Sequence, residues 1–303
     1  MLTKEFGNVK AATVASWRDY YALTKPRVVQ LLVFTAVVGM FLATPAMVPW
    51  QTLVFASLGI GLAAASGAAV NHVLDQRLDA TMSRTRDRPL PAGRIAERDA
   101  LAFAVALGVL GLGILAVLVN ALTALLTFVS LIGYAVIYTV FLKRATPQNI
   151  VIGGAAGAAP PVLGWAAVQN DVSGYALLLF LIIFTWTPPH FWALAVARKS
   201  DYEAAKIPML PVTHGEAMTK SFVVYYTVLL IIVTLLPYLT GMSGVLYLCG
   251  ALLLGGGFLY YALRLKFGGV DSGMQTFAYS ISYLLALFAF LLVDHYVAAA
   301  RPL

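Results

Sequence analysis

The chain has few charged residues and almost no cysteine. Asp, Glu, Lys and Arg make up only 11% of its 303 residues, whereas 61% are hydrophobic. A soluble globule of this size needs more polar side chains at its surface, so the composition excludes that class and predicts an integral membrane protein. The single cysteine, Cys249, excludes an intramolecular disulfide, and we expect it to be a small buried residue within a span.

Nine segments are apolar enough to cross a bilayer, whose hydrocarbon core of about 30 Å needs about 20 such residues. Unpaired backbone groups cannot face lipid, so every span is predicted to be a helix, and the frequent Gly and Ala suit close packing. The predicted spans are 28–44, 51–74, 99–119, 121–141, 150–168, 175–197, 221–240, 243–263 and 274–294. The sequence therefore predicts an all-α integral membrane protein, with nine transmembrane helices in one domain over residues 1–303.

The basic residues predict the orientation. Nine spans put the termini on opposite sides, and nineteen of the twenty Lys and Arg residues then lie on the amino-terminal side. By the positive-inside rule that side is cytoplasmic. We expect a cytoplasmic tail over 1–27, no removable signal peptide, and a periplasmic carboxyl terminus in a multi-pass protein of the cell inner membrane. Both long loops, after spans 2 and 6, fall on the cytoplasmic side, where we expect the chemistry.

The loop after span 2 contains three oxygen-bearing side chains at helical spacing. Asn71, Asp75 and Asp79 are four residues apart, so on a helix they share one face. Two neighbouring carboxylates repel one another unless a cation lies between them. Magnesium prefers oxygen ligands and is commonly held by one or two carboxylates together with substrate phosphates. The spacing predicts a magnesium site.

A row of arginines follows that motif, and it includes Arg84 and Arg88. Guanidinium groups match phosphate oxygens in bidentate geometry, so carboxylates followed by arginines suit a magnesium diphosphate at a membrane surface. Two simpler roles for these charges stay open at this point. The arginines also serve membrane orientation, and the loop is also compatible with ordinary ion pairs of Asp79 and Asp87 to nearby arginines.

Two further regions contribute candidates on the same side. Asp201 follows span 6 and is predicted to face the first motif across a cavity, while Lys143 precedes span 5. Pro188 and Pro189 lie inside span 6 and predict a break there. His190 follows them; it is either a packing residue or a contact to an aromatic macrocycle or its metal.

The residues quoted above resemble the UbiA-type intramembrane prenyltransferases, and nearly the whole chain takes part. The general mark is Asn71, Asp75 and Asp79 followed by "RTRDRPLPAG". Four further segments resemble the branch that farnesylates heme: "LTKPRV" at 23–28, "TPQNIVIGGAAGAAPPVLGW" at 146–165, "WTPPHFWALA" at 186–195 and "DYEAAKIPMLPV" at 201–212.

The resemblance implies helices around a central cavity open to the cytoplasm. It implies farnesyl diphosphate as donor and heme b as acceptor, giving heme O, with Mg²⁺ as cofactor. Membrane lipid, heme A synthase and assembly factors of terminal oxidases are the implied partners, and no nucleic acid is expected. The alternative is another UbiA-type enzyme with an aromatic or chlorophyll-type acceptor. A transporter is disfavoured because the acids gather at one membrane face instead of the midplane.

The resemblance also implies roles for individual residues. Asn71, Asp75, Asp79 and Asp201 would hold magnesium, and the substrates would be bound by Arg84, Arg88, Lys143, Tyr202 and His190. His72 and His214 lie near the same surface and are alternative candidates for heme contact, while His295 is expected on the far side and uninvolved. Many relatives have a second acid four residues after the position of Asp201, but Ala205 stands there in this chain, as in the heme branch.

Overall fold

A computed structural model describes residues 15–268 and 272–299, and every regular element within these ranges is helical. The α-helices are α1 Trp17–Leu23, α2 Pro26–Leu42, α3 Trp50–Asp79, α4 Glu97–Leu118, α5 Ala121–Ile132, α6 Lys143–Ala145, α7 Asn149–Ala158, α8 Pro160–Gln169, α9 Gly174–Ala197, α10 Lys199–Ala204, α11 Leu210–Thr213, α12 Glu216–Leu239, α13 Val245–Phe267 and α14 Ser272–Ala299. A π-helical segment, Gly133–Leu142, continues α5.

The spans agree with the sequence prediction. In the described ranges, eight helices are long and apolar enough to cross a membrane, with α5 and its π-helical extension counted as one and α7 with α8 as another. The remaining predicted span is α2, which has 17 residues and meets α1 at a bend of 52°. Counting that bent pair as one span gives nine. The prediction of an all-α, multi-span membrane protein is confirmed.

Polar loops gather at one end of the bundle, which we call the polar end and define as residues 75–98, 143–149 and 198–216. It holds the last turn of α3, the short helices α10 and α11, and the loops around them. Helices α3 and α4 pack along each other, as do α9 and α12, so the loops after α3 and α9 are carried by separate packed pairs. The two predicted acidic regions both belong to this end.

The predicted break in span 6 is wrong. Pro188 and Pro189 lie inside α9, which is one helix over Gly174–Ala197. Proline removes a backbone donor, but threonine hydroxyls can supply hydrogen bonds to nearby carbonyls. The Thr187 hydroxyl donates to the Ile183 carbonyl oxygen at 2.8 Å, one turn earlier. Local hydroxyl donors therefore accompany the prolines, and the segment stays helical.

The interruption occurs at another Pro-Pro pair. Helix α7 ends at Ala158, and Pro160 and Pro161 start α8, where the absent N–H groups are least costly. Close backbone packing follows directly. A Cβ atom at Gly164 would overlap the Ala36 carbonyl oxygen of α2, and one at Gly39 would overlap that of Pro161. These glycines let α2 and α8 approach each other closely, as small residues do in membrane bundles.

One expectation about α13 is wrong, and a buried acid of α14 lies at the start of α13. Cys249 is exposed on the outside of the bundle instead of buried, because its face of α13 points away from the neighbouring helices. Asp294 of α14 is buried and accepts hydrogen bonds from the backbone N–H groups of Gly244, at 2.5 Å, and Tyr247, at 3.2 Å. This carboxylate therefore caps the amino-terminal end of α13, where the helix dipole favours negative charge.

The glycine contact gives a stability test. Gly164→Ala should lower the melting temperature of the purified protein in detergent, because the added methyl group separates α2 from α8; overpacking typically costs about 1–3 kcal/mol. Gly157→Ala is the matched control, since no atom lies within 4 Å of the position a Cβ would take there. An unchanged melting temperature for Gly164→Ala would contradict the packing argument.

Candidate active site

The predicted oxygen-bearing row lies on the last turns of a helix, not in a loop. Helix α3 continues to Asp79, so Asn71, Asp75 and Asp79 occupy successive turns of one helix. They are only 5%, 2% and 2% exposed. The Asn71 Nδ2 group donates to Asp75 Oδ2 at 2.9 Å. The predicted shared face is therefore present, and it points into the protein.

Two lysines reach this face from other parts of the chain. Lys143 Nζ lies 2.5 Å from Asp75 Oδ2, and Lys25 Nζ donates to Asn71 Oδ1, also at 2.5 Å. Lys25 precedes Pro26 and has a left-handed backbone, with φ of 48°, which is unusual for a residue with a side chain. The bend between α1 and α2 thus directs a lysine onto the end of α3.

The arginine row contributes one buried contact. Arg88 Nη1 lies 2.7 Å from Asp79 Oδ2, and the chain turns back through a hydrogen bond from the Thr85 hydroxyl to the Asp79 carbonyl oxygen. Asp87 meets Arg86 only at 3.9 Å, with both side chains exposed. Both ion pairs expected of an ordinary charged loop are therefore present, but the one at Asp79 is buried.

Burial separates this group from an ordinary charged loop. Arg88 and Lys143 pair with two carboxylates that are almost inaccessible to water, and Lys25 contacts the buried amide of Asn71 beside them. Removing such ions from water costs free energy that their mutual attraction often does not recover, so a buried ion pair is weak evidence of a stabilising role. Membrane orientation needs cations in loops, not carboxylates in a helix. A functional role accounts for this buried group better than a stabilising ion pair or membrane orientation does.

The π-helical segment helps to position two of these contacts. In it, the Thr139 hydroxyl donates to the Tyr134 carbonyl oxygen five residues earlier, at 2.9 Å. Asn71 Nδ2 in turn approaches the Thr139 hydroxyl oxygen at 3.3 Å. Lys143 follows at the end of the same segment. A π-helix widens the turn and is frequent at functional sites, and here it faces α3 with a hydroxyl and an ammonium group.

The second acidic region meets the first. The Ser83 hydroxyl, four residues beyond Asp79, donates to Asp201 Oδ1 at 3.0 Å. Burial raises the pKa of the neighbouring Tyr202 hydroxyl, and the positive charge of exposed Arg84 partly opposes that shift. Tyr202 therefore stays protonated at neutral pH and is available as a hydrogen-bond donor. The loops after α3 and α9 thus come together, as the sequence predicts.

His190 lies in a packed aromatic environment. Its ring stacks on Trp186 and Phe277, with centroids 4.2 and 4.5 Å away, and Nδ1 lies 2.6 Å from the Ser280 hydroxyl oxygen. These contacts favour the packing interpretation over a ligand role. Contact of His190 with the acceptor stays a prediction.

The other three histidines differ in their surroundings. His72 is buried 4.0 Å from Asp79 Oδ2, and His214 is exposed near the polar end. Nε2 of His295 lies 3.0 Å from the Thr44 carbonyl oxygen, in the loop after α2, which is remote in sequence from the polar-end loops.

The donor set fits magnesium. Asp75 Oδ1 is buried and has no hydrogen-bond partner among the described residues, so one lone-pair face of this carboxylate is free. The amide oxygen of Asn71 and the carboxylate of Asp79 are the hard oxygen donors that this ion prefers. Within 15–268 and 272–299 no three His, Cys, Asp or Glu side chains form a metal cluster. A magnesium site made of one or two carboxylates and a substrate phosphate agrees with that finding, because it needs fewer than three acidic side chains.

Sequence reasoning missed Lys25, Thr139 and Ser83. "LTKPRV" is among the segments that carry the family resemblance, but nothing in its letters places Lys25 against Asn71. An X-Pro pair at a helix start was the available signal, because it restricts the preceding residue. Thr139 and Ser83 have no signal in the sequence, since their contacts depend on the π-helical register and on loop packing.

Comparison with known proteins identifies the class. Residues 32–284 match the UbiA prenyltransferase family, so the chain belongs to that family of prenyl-transferring enzymes. Protoheme IX farnesyltransferase of Methylococcus capsulatus is 61% identical over 289 residues, covering 95% of this chain and 97% of the relative. The protein of the same name from Thioalkalivibrio sulfidiphilus is 62% identical over 283 residues, or 93% and 94% of the two chains.

Solved structures share the fold at low identity. A digeranylgeranylglyceryl phosphate synthase is 18% identical, with a TM-score of 0.76 over 92% of this chain and 98% of its own. A UbiA homologue from Archaeoglobus fulgidus bound to DMAPP and Mg²⁺ is 17% identical, with a TM-score of 0.61 over 89% and 99%. These similarities support the fold of this chain.

The newly found lysine gives a test. Lys25→Met removes the ammonium group that contacts Asn71, and we expect prenyl transfer to fall at least about tenfold, equivalent to about 1.4 kcal/mol of lost transition-state stabilisation. The measurement is diphosphate release by the purified enzyme. Lys206→Met is the control, because Lys206 is an exposed lysine of the polar end that also has a left-handed backbone. Equal activities in the two variants would exclude Lys25 from the site.

Proposed function

We propose that the chain transfers the farnesyl group of farnesyl diphosphate to a vinyl group of heme b, with addition of water, giving heme O and diphosphate. The observation that carries this proposal is the buried group of Asn71, Asp75 and Asp79 with three cations, at the end of a long apolar helix. Relatives about 60% identical over nearly their full length bear the name protoheme IX farnesyltransferase, which supports the donor and the acceptor.

The diphosphate would bind where the cations now meet the carboxylates. Asn71, Asp75 and Asp79 would hold Mg²⁺, with Asp201 contributing from the adjoining loop. Bound magnesium would supply positive charge against the diphosphate oxygens and so favour its departure. Arg88 and Lys143 would exchange carboxylate oxygens for phosphate oxygens, and Lys25 would exchange the amide oxygen of Asn71. Arg84 and Tyr202 would bind at the outer edge.

The same cations would stabilise the transition state. As the bond between farnesyl C1 and oxygen breaks, its electron pair goes to the leaving diphosphate, and fixed positive charges bind that developing charge better than the ground state. The electron pair of the heme vinyl group forms the new bond to C1. A water molecule then adds to the resulting carbocation and releases a proton to solvent. No protein nucleophile is required.

The surroundings suit a short-lived cation. The end of α3 is packed among apolar helices, which limits premature attack by water. Aromatic faces such as those of the stacked Tyr134 and Tyr138 offer electron density to a nearby positive charge.

We propose that the polar end lies on the cytoplasmic side of the inner membrane, with the amino terminus in the cytoplasm and the carboxyl terminus in the periplasm. We expect heme O to pass to heme A synthase or oxidase assembly factors.

The direct test is expression in a bacterial strain that lacks its own enzyme for this step. Extracted hemes should include a farnesylated, hydroxylated heme when the wild-type chain is present. Asp75→Ala and Asp79→Ala should abolish it, because each removes an oxygen donor and leaves an unpaired buried cation. Asp99→Ala, at an exposed acid near the start of α4, is the control. Wild-type yields in both site variants would overturn the assignment of these carboxylates.

Removing the metal should stop turnover reversibly. Treatment of the purified enzyme with EDTA is expected to reduce diphosphate release from farnesyl diphosphate to background, and added Mg²⁺ should restore it, because the carboxylates and the diphosphate need a shared cation. Ca²⁺, which is larger and prefers more ligands, should restore it poorly. Full activity in EDTA would contradict the magnesium assignment.

A further inference from the structure

A second polar-end feature is not used by the diphosphate site. A cavity of about 300 Å³ opens between the loop before α7, helix α9 and the start of α12. This volume lies at the lower end of the range for small-molecule pockets, which are mostly apolar with a few placed polar groups. The lining residues that matter here are Gln148, Trp192, His214, Met218, Phe222 and Tyr226.

The hydrogen bonds of His214 leave one ring nitrogen available. The Thr213 hydroxyl donates its proton to the Met209 carbonyl oxygen at 3.2 Å, and its oxygen lies 2.8 Å from His214 Nδ1. In the tautomer in which the hydroxyl keeps this bond, its oxygen accepts from Nδ1–H, and Nε2 of the ring carries a lone pair. Nε2 has no hydrogen-bond partner among the described residues. A fixed Nδ1–H is also how proteins orient metal-binding histidines.

A largely buried tryptophan lines the same cavity. Trp192 is 1% exposed, and its indole Nε1–H has no hydrogen-bond partner in the described part of the chain. A buried N–H group without a partner costs about 1–3 kcal/mol, and such groups in native proteins call for a ligand or water. Trp192 and His214, two lining residues of one cavity, thus each have a nitrogen without a hydrogen-bond partner among the described residues.

Side chains of α12 form an aromatic and thioether wall of the cavity. Met218, Phe222 and Tyr226 are four residues apart on α12 and form one face of the helix. The rings of Phe222 and Tyr226 lie edge-on to Trp192, with centroids 5.9 and 5.3 Å away. Flat aromatic ligands suit such a wall because ring edges and faces attract each other.

The cavity adjoins the diphosphate site through a short stretch of chain. Gln148 lines it, and the next residue, Asn149, donates from Nδ2 to the Lys143 carbonyl oxygen at 3.3 Å. Lys143 in turn pairs with Asp75. On the other side, Trp192 belongs to the same buried apolar cluster as Met82, three residues beyond Asp79. The cavity and the proposed diphosphate site are therefore connected through the chain at 143–149 and through one apolar cluster.

We propose that this cavity binds the heme acceptor and that Nε2 of His214 is an axial ligand of its iron. The proposal rests on the proposed function and deepens it by naming the acceptor site. An imidazole nitrogen, a thioether and an aromatic wall match an iron porphyrin, whose metal binds nitrogen or sulfur and whose ring packs on aromatic side chains. The volume takes part of the macrocycle, and the open side leaves room for the rest.

The test is a spectral titration of purified full-length protein with hemin and, separately, with metal-free protoporphyrin IX. His214→Ala should lose the histidine-ligated heme spectrum and weaken hemin binding at least tenfold, while protoporphyrin binding changes less than threefold. His214→Gly should recover the ligated spectrum when imidazole is added. His295→Ala, the same change at a histidine whose hydrogen bond lies near Thr44, should behave as wild type.

The outcomes separate the two proposals. If His214→Ala keeps the wild-type heme spectrum and affinity, the ligand assignment is wrong; loss of that spectrum in His190→Ala alone would transfer the role to His190. If both porphyrins lose affinity equally, His214 is a pocket wall and not an iron ligand. Failure of the wild-type chain to make farnesylated heme or to release diphosphate would overturn the proposed function itself, whatever the titration gives.

Discussion

The ion pair between Lys143 and Asp75 is the contact on which the arrangement of the polar end depends. It joins the end of α3 to the end of the π-helical segment across 68 residues of sequence. Both groups are nearly inaccessible to water, so separating them would leave an uncompensated buried charge, which costs about 3–5 kcal/mol. The position of the oxygen-bearing row is therefore tied to this charged contact, beside the contact of Asn71 with Thr139 in the same segment.

Two kinds of buried acid in this chain show how environment indicates role. Asp294 accepts backbone N–H groups at the start of α13, and this local structural role accounts for it fully. Asp75 instead pairs with a lysine side chain, and its other oxygen, Oδ1, has no hydrogen-bond partner among the described residues. A carboxylate satisfied by fixed backbone donors has no reason to change partners. One held by a side-chain cation can exchange that cation for another.

How much the sequence predicts depends on how local each feature is. The spans follow from hydropathy, and the shared face of Asn71, Asp75 and Asp79 follows from helical spacing alone, so both are visible in the letters. The meeting of Asp201 with the first loop follows from topology. The contact of Lys25 with Asn71 depends on a left-handed residue and a bend, neither of which has a periodic signal.

The predicted break at one proline pair fails for a related reason. A break is predicted at Pro188 and Pro189, which lie inside one packed helix, whereas the observed interruption falls at Pro160 and Pro161, which occupy a helix start. The same Pro-Pro dipeptide therefore lies inside a helix at one place and at a helix start at the other, and packing decides which. No sequence pattern indicates the π-helical register, so the contact of Thr139 with Asn71 could not be predicted.

That register makes chain length itself a functional property. Segment 133–142 uses a wider turn than an α-helix, so it contains more residues over the same rise. Omitting one residue from it would rotate everything beyond by roughly a quarter turn relative to Tyr134, because each residue of so wide a helix turns the chain by less than the about 100° of an α-helix. Lys143 would then point away from Asp75, although the deletion would leave every site residue in the sequence. In this region an insertion or deletion is expected to be more damaging than most substitutions, since it changes the direction of the cation instead of its identity.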